Sequence, residues 1–146
     1  RQMLDAVQAQ VDKASVFVAT AAVADWRPDT QADQKIKKDG SGQTPALKFV
    51  ENPDILATGA QSTRAQSGAL FCVGFAAESH DLLAHATAKR VRKGVPLLVG
   101  NIGPATFGQD DNALLLVDDA GARELPHASK QALAEQLIAD IARRLK

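Results

Sequence analysis

The sequence predicts an α/β fold, a Rossmann-like three-layer sandwich with a mainly parallel sheet. Two observations predict it. Short apolar runs alternate along the chain with longer segments in which apolar residues recur at helical spacing. The runs themselves are continuous rather than alternating, which is typical of strands covered by helices on both faces of a parallel sheet.

The chain opens with a predicted helix and a predicted strand. Leu4, Val7 and Val11 recur at steps of three and four, the spacing of one helical face. The run at 16–19 is apolar and β-branched, so we expect a strand that is buried on both faces. Because the helix pattern starts without a cap, we expect that an upstream segment is missing.

A long polar loop separates this strand from the next predicted elements. Residues 28–45 carry lysines and glycines, and a connection of that length is typical of a mobile functional loop. A strand is then expected at 47–50 and a helix at 53–64. Asn52 is the expected N-cap of this helix, and Pro53 suits its first position.

The second half of the chain continues the alternation. Gly94 is the expected C-cap of one helix, and the turn at 118–121 predicts a hairpin edge. Ser129 caps the last helix. The strands are predicted at 69–75, 97–100 and 113–117, the helix before Gly94 at 82–93, and the inner face of the last helix at Leu133, Leu137, Ile138 and Ile141.

Composition limits the classes of protein. A chain of 146 residues, 45% apolar, fits one folded domain. The 17 basic and 17 acidic residues cancel, which argues against a general nucleic-acid binder. A single cysteine, Cys72, lies in an apolar run and is interpreted as a buried thiol. No run is long enough to span a bilayer, and we expect a cytoplasmic protein without a membrane partner.

Ligands of such sheets bind at the carboxyl ends of the strands. The run 21–25 leaves the first strand with small residues followed by Asp25, which could hold Mg²⁺ against a polyphosphate or could cap the next turn. The junction 52–56 offers free backbone amides at a helix start to an anion, unless it is an ordinary capped helix. Further candidates at the ends of later predicted strands are the runs 51–53 and 74–78 and Asn101.

Two groups of basic residues could contact phosphates. Lys35, Lys37 and Lys38 lie in the long loop, ten residues beyond Asp25, where a lysine-bearing lid could close over a ligand; a solvated loop is the alternative. Lys89 and Lys93 are four residues apart and point from one helical face, although cations at a helix end need no ligand. The sequence has no Walker phosphate loop and no G-x-G-x-x-G fingerprint.

Taken together, the motifs resemble one family. Ala-Ala-Val-Ala-Asp-Trp-Arg-Pro at 21–28, Lys-Ile-Lys-Lys at 35–38, Asn-Pro-Asp-Ile-Leu at 52–56, Val-Gly-Phe-Ala-Ala-Glu at 73–78 and Ala-Lys-Arg-Val-Arg-Lys at 88–93 follow in the order and spacing of bacterial phosphopantothenate–cysteine ligase. The resemblance covers essentially the whole chain and identifies 1–146 as a single, partial CTP-binding ligase domain.

The resemblance implies a two-step ligation in coenzyme A biosynthesis. The carboxylate of 4′-phosphopantothenate attacks the α-phosphate of CTP to give an acyl-cytidylate, and the cysteine amine then displaces CMP. Lys35 would be the catalytic lysine, and Asp25 would bind Mg²⁺ through the triphosphate. The nucleotide-binding residues implied are Ala21, Asp25, Lys35, Pro53, Asp54, Ile55, Leu56, Phe75, Lys89 and Lys93.

The family is also dimeric and often fused to a flavin-dependent decarboxylase, so a homodimer is expected, and FMN only with such an upstream domain. The family's glycine-rich opening and its Ile-Thr-Asn-x-Ser-Ser-Gly segment are not found in 1–146. We therefore expect a sheet that lacks its first βα units, and a piece that binds CTP but does not complete ligation. The alternative is an NAD(P)-binding or other nucleotide-binding Rossmann-like module without ligase activity.

Overall fold

The computed structural model describes residues 1–38, 40–44, 46–106 and 108–145. The strands are β1 (Val16–Ala19), β2 (Trp26–Pro28), β3 (Phe49–Glu51), β4 (Phe71–Glu78), β5 (Leu97–Ile102), β6 (Asp111–Asp118) and β7 (Gly121–Ser129). The helices are α1 (Gln2–Val11), α2 (Ile55–Ala60), α3 (Thr63–Gln66), α4 (Leu82–Lys93), α5 (Gly103–Thr106) and α6 (Lys130–Arg144).

A five-stranded sheet forms the centre of the fold, in the order β1-β4-β5-β6-β7. β1, β4 and β5 are parallel neighbours, and β6 and β7 are added antiparallel as the expected hairpin edge. The sheet is therefore mixed, with its parallel part at the β1 side. Helical crossovers carry the chain between the parallel strands, as parallel pairing requires.

Helices cover both faces of the sheet, which gives the predicted three layers. One core joins α1, α2 and α4 to the sheet through residues such as Val11, Leu56 and Leu98. The other core packs α6, through Leu133 and Leu137, against strand residues of the opposite face. Adjacent strand positions alternate between the two cores, because successive side chains point to opposite faces.

The segment predicted as a strand at 47–50 does not join this sheet. β3 begins two residues later and pairs antiparallel with β2 in a separate two-stranded ribbon. Trp26 and Phe49 of the ribbon remain 60% and 54% exposed. The apolar residues of this segment therefore do not mark a strand covered by helices, and the prediction that placed it in the strand–helix alternation was wrong.

The helix predicted at 53–64 was also wrong in its start and its continuity. Asp54, not Asn52, is the N-cap, and its side chain accepts a hydrogen bond from the Ala57 amide at 3.0 Å. α2 ends at Ala60, and α3 starts afresh after Ser62, whose hydroxyl caps it. Capping of α3 by the Ser62 hydroxyl thus competes with continuation of α2.

The helix α4 and the cap of α6 were confirmed, but the predicted burial of Ile138 and of β1 was not. α4 has the predicted bounds, and Gly94 closes it in the left-handed conformation at φ 67°. Ser129 caps α6 as expected. Ile138, however, is 58% exposed and does not belong to the inner face of α6. β1 is half-buried rather than buried on both faces, because it is the edge strand of the described sheet.

Between β2 and β3 the chain forms a long loop. The described residues 29–38, 40–44 and 46–48 contain no helix or strand, and nearly all of the predicted lysine loop is exposed. Two members of that loop, Asp39 and Pro45, lie outside the described residues. Within the part of the chain that the structure describes, no helix has the length and apolar character needed to cross a membrane.

Candidate functional site

The carboxyl ends of the three parallel strands meet at one edge of the sheet. Ala19, the last residue of β1, lies beside Gly74, so β4 extends four residues beyond it. Glu78, the last residue of β4, lies beside Ile102 at the end of β5. The chain that follows each strand therefore lies at the edge where ligands of parallel sheets bind.

Asn52 joins two of the predicted ligand-binding segments at this edge. Its backbone amide donates to the carbonyl of Asp25 at 2.7 Å, and its side-chain amide donates to the carbonyl of Ala24 at 2.8 Å. Arg27 completes the junction by donating to Asn52 Oδ1 at 3.1 Å and to the Glu51 carbonyl at 2.7 Å. These bonds hold the exit from β1 against the segment that leads into α2.

Asp54 links the start of α2 to α4. One carboxylate oxygen caps α2, and the other pairs with Nζ of Lys93. Burial raises the pKa of the Asp54 carboxyl, but the Ala57 amide and the Lys93 ammonium outweigh it, and the net pKa lies below its ordinary value of 3.8. Asp54 is therefore an anion at neutral pH, held between a helix start and a lysine.

Lys89, one turn before Lys93, reaches the end of β4. Its Nζ lies 3.9 Å from Oε1 of Glu78, whose other oxygen lies 3.7 Å from Nδ1 of His85. Both lysines are largely covered, with side-chain exposures of 28% for Lys89 and 19% for Lys93. The two lysines lie one turn apart on α4, as expected; Lys89 reaches the end of β4, and Lys93 reaches the start of α2.

The side chains of the other predicted residues differ in burial and in their partners. Phe75 is half-buried on β4, and Leu56 is buried in the first turn of α2. Asn101 donates instead to the Thr106 hydroxyl at 2.9 Å. Pro53 and Ile55 are half-buried, and Ala21, Asp25 and Lys35 are exposed.

The contacts of two residues in the site, Asn52 and Glu78, were not predicted. Asn52 was expected to cap a helix, and Glu78 was expected only as part of a strand end and a family motif. The pairing of β2 with β3 brings Asn52 back to Asp25, and that pairing has no strong local signal. The spacing of His85 and Lys89 was the available signal for Glu78, because residues four apart face the same neighbour.

A cavity of about 610 Å³ lies at the opposite, amino-terminal edge of the parallel strands. Its two arginines pair with carboxylates: Arg90 with Asp119 at 2.5 Å, and Arg144 with Asp118 at 2.7 Å. Cys72 lines it as a buried thiol whose pKa is raised by burial. The carboxyl ends of the parallel strands and the start of α2 favour the carboxyl edge over this cavity as the ligand site.

Within the described ranges, no group of three or more His, Cys, Asp and Glu side chains is placed to hold a metal ion. Mg²⁺ in proteins is often bound through one carboxylate together with phosphate oxygens and water. Asp25 is exposed beside the anion-favouring edge and has the donor type that Mg²⁺ prefers.

Known sequences match almost the whole chain. The family model of the DNA/pantothenate metabolism flavoprotein C-terminal domain matches residues 1–145. The Coenzyme A biosynthesis bifunctional protein CoaBC of Vibrio cholerae is 41% identical over 140 residues, which are 94% of this chain and 34% of that protein. The CoaBC of Mycolicibacterium smegmatis is 41% identical over 155 residues, covering 99% of this chain and 37% of that protein. The chain thus spans about a third of the length of these relatives.

Solved structures share the fold. A crystal structure of the C-terminal domain of CoaBC superposes with a TM-score of 0.73 at 26% identity, covering 99% of this chain and 61% of that one. A Cab2 mutant in complex with phosphopantothenate-cysteine gives a TM-score of 0.73 at 20% identity, covering 99% and 49%, and supports the fold alone. With the match of the family model to residues 1–145, the chain belongs to the family of DNA/pantothenate metabolism flavoprotein C-terminal domains.

Proposed function

We propose that this chain is the nucleotide-binding part of a CTP-dependent phosphopantothenate–cysteine ligase of coenzyme A biosynthesis. The observation that carries the proposal is the junction at Asn52, which brings the exit of β1 and the start of α2 together at the carboxyl edge. Lys93 pairs with Asp54 at the start of α2, and Lys89 lies near Glu78 at the end of β4. The names of the relatives agree with that pathway.

Different residues would bind the cytidine part and the phosphates of CTP. Backbone groups at 53–56, with Ala21 and the half-buried Phe75, would hold the cytidine part of CTP. Lys89 and Lys93 would contact the phosphates. Cations that face a developing phosphoryl charge in a partly dry site stabilise the transition state, because the local dielectric is lower than that of water.

Lys35 would supply a further positive charge from the long loop. Its exposed position suits a lysine that approaches the α-phosphate only when the loop closes over bound nucleotide. The carboxylate of 4′-phosphopantothenate would then attack that phosphate with loss of pyrophosphate. The amine of cysteine would next attack the acyl-cytidylate and release CMP.

The proposed partners are small molecules and a second copy of the chain. CTP, 4′-phosphopantothenate and cysteine are the substrates, in the cytoplasm, without nucleic acid or membrane. Asp25 would hold Mg²⁺, which when bound neutralises phosphate charge. FMN would belong to a decarboxylase region outside these residues, and the homodimer remains a prediction.

Nucleotide binding can be tested by thermal unfolding with Mg²⁺–CTP and with NADPH. A ligand at about a hundredfold excess over its Kd stabilises the folded state by about 2.7 kcal/mol. We expect Mg²⁺–CTP to raise the Tm by several degrees and NADPH to leave it unchanged. The Lys89→Ala, Lys93→Ala double variant should lose the shift with CTP.

The opposite pattern would favour the second candidate, a dinucleotide-binding module without ligase activity. A Tm shift with NADPH alone would contradict the ligase proposal. Binding is measured apart from turnover because the family's Ile-Thr-Asn-x-Ser-Ser-Gly segment, which by resemblance helps to hold the phosphopantothenoyl group, is not found in 1–146. We expect no pyrophosphate release by this chain when all three substrates are supplied.

A further inference from the structure

Glu78 ends β4 at the point where a phosphate group would meet Lys89. Its side chain is 23% exposed, and its two oxygens lie 3.9 Å from Nζ of Lys89 and 3.7 Å from Nδ1 of His85. The carboxylate is therefore largely covered and faces one side of α4. A phosphate that binds Lys89 has to replace this carboxylate or share the lysine with it.

The second lysine of the site has the same arrangement. Nζ of Lys93 pairs with the Asp54 carboxylate, whose pKa is lowered. Each of the two lysines thus faces one carboxylate, and the four charges sum to zero. An approaching anion therefore meets two lysines that are already paired, with Arg92 as a further positive charge near Asp54.

We propose that Glu78 determines how strongly binding at this edge depends on the charge of the nucleotide's phosphates; this rests on the proposed function. The repulsion between a fixed carboxylate and a ligand is proportional to the charge of the ligand. Free CTP carries about four negative charges and its Mg²⁺ complex about two, so the repulsion is roughly twice as large for free CTP. Glu78 thereby favours the metal complex over the free nucleotide.

The substitution Glu78→Gln tests this specificity, because it keeps the size of the side chain and an oxygen acceptor but removes the charge. We expect the Kd of Mg²⁺–CTP to fall roughly three- to tenfold. The Kd of CTP measured with EDTA should fall by roughly the square of that factor, since the ligand charge doubles. Calorimetric titration at one fixed ionic strength gives both constants.

Two control variants separate charge from structure. Glu124→Gln on the exposed face of β7 makes the same change in net charge away from this edge and should leave both constants unchanged. Glu78→Asp keeps the charge and should keep the wild-type ratio of the two constants, even if both constants shift.

The outcomes also separate this proposal from the proposed function. If the wild-type chain binds neither form of CTP, the proposed function fails. If the wild type binds and Glu78→Gln changes both constants by the same factor, or changes neither, the role of Glu78 in charge discrimination is overturned while CTP binding stands. A purely structural role would produce that equal change.

Discussion

Asn52 fixes the geometry of the candidate site with one side chain. It donates to Ala24 and accepts from Arg27, and each such bond contributes about 0.5–1.5 kcal/mol to stability. We expect Asn52→Ala to lower the free energy of unfolding by about 1–2 kcal/mol. The Kd for Mg²⁺–CTP should rise at least fivefold, because the segment 21–25 is no longer held beside α2. Urea unfolding and calorimetry measure the two effects.

Asn112→Ala is the matched control for this prediction. The Asn112 side chain accepts a hydrogen bond from the Ala113 amide at 2.8 Å on β6, which is not one of the strands whose carboxyl ends form the site. This variant should lose stability without a change in Kd. An unchanged Kd in Asn52→Ala would show that the junction is not part of the nucleotide site.

Single residues were predicted from sequence only where a local signal existed. Gly94 and Ser129 follow from capping preferences, which need no knowledge of the rest of the fold. The hydrogen bonds of Asn52 depend on residues more than twenty positions away, so no local pattern could indicate them. Whether Asp25 and Lys35 contact a nucleotide stays a prediction.

At the scale of elements, Gly74 allows α2 to pack closely on β4. A Cβ atom at this position would lie 2.6 Å from Leu56 Cδ2 and 2.7 Å from Leu98 Cδ1, both in buried side chains. We expect Gly74→Ala to lower the free energy of unfolding by about 1–3 kcal/mol through overpacking. Because Leu56 lies in the first turn of α2, CTP binding should weaken as well.

A double-mutant cycle with Leu56→Ala tests the cause of this loss. Removing the Leu56 side chain relieves one of the two close contacts of the new methyl group, so Gly74→Ala should cost less in that background. Urea unfolding of the wild type, the two single variants and the double variant gives the coupling energy. Additive effects would mean that the strain has another origin than the contact with Leu56.

Helices with a strong apolar periodicity were predicted well. The break between α2 and α3, where capping of a new helix competes with continuation of the old one, was not predicted. α4 was predicted at its observed bounds because its apolar spacing, basic end and Gly94 agree. The break between α2 and α3 depends on whether Ser62 caps a new helix or stays within the old one. Local propensity does not decide between these states, since the packing of α2 on β4 contributes to the choice.

At the scale of the whole molecule, the sequence predicted the layers of the fold better than the order of its strands. Continuous apolar runs at β4 and β5 indicate burial on both faces, and the structure confirms it. That β2 and β3 leave the main sheet follows from pairing between distant segments. The carboxyl edge was predicted as the site because it is a property of parallel sheets in general.

A network of ion pairs links the C-terminal end of α6 to the β6–β7 hairpin. Asp140, with a side chain only 8% exposed, accepts from Arg144 at 2.6 Å, Arg123 at 2.5 Å and Arg143 at 3.0 Å. Arg144 also pairs with Asp118 at 2.7 Å. Burial raises the pKa of the Asp140 carboxyl, but the hydrogen bonds from Arg144 and Arg143 outweigh it, so the pKa lies below 3.8.

This lowered pKa predicts how stability depends on pH. The carboxyl of Asp140 binds a proton more weakly in the folded than in the unfolded chain, so its stabilisation is complete above the ordinary value of 3.8 and is lost as pH falls through the folded pKa. Asp118, whose pKa is lowered as well, adds to the same loss. The midpoint of urea unfolding should be flat near neutrality and fall steeply below about pH 4.

Asp140→Asn separates this network from the other carboxylates. The variant should be less stable at pH 7 by about 1–3 kcal/mol, because hydrogen bonds between charged groups are lost. Its stability should also fall less between pH 5 and pH 2 than that of the wild type. Asp54 and Asp118 also have lowered pKa values, so a smaller acid loss should remain in the variant. Parallel curves for variant and wild type would show that Asp140 titrates alike in the folded and unfolded chain, and that the network does not fasten α6 through its charge.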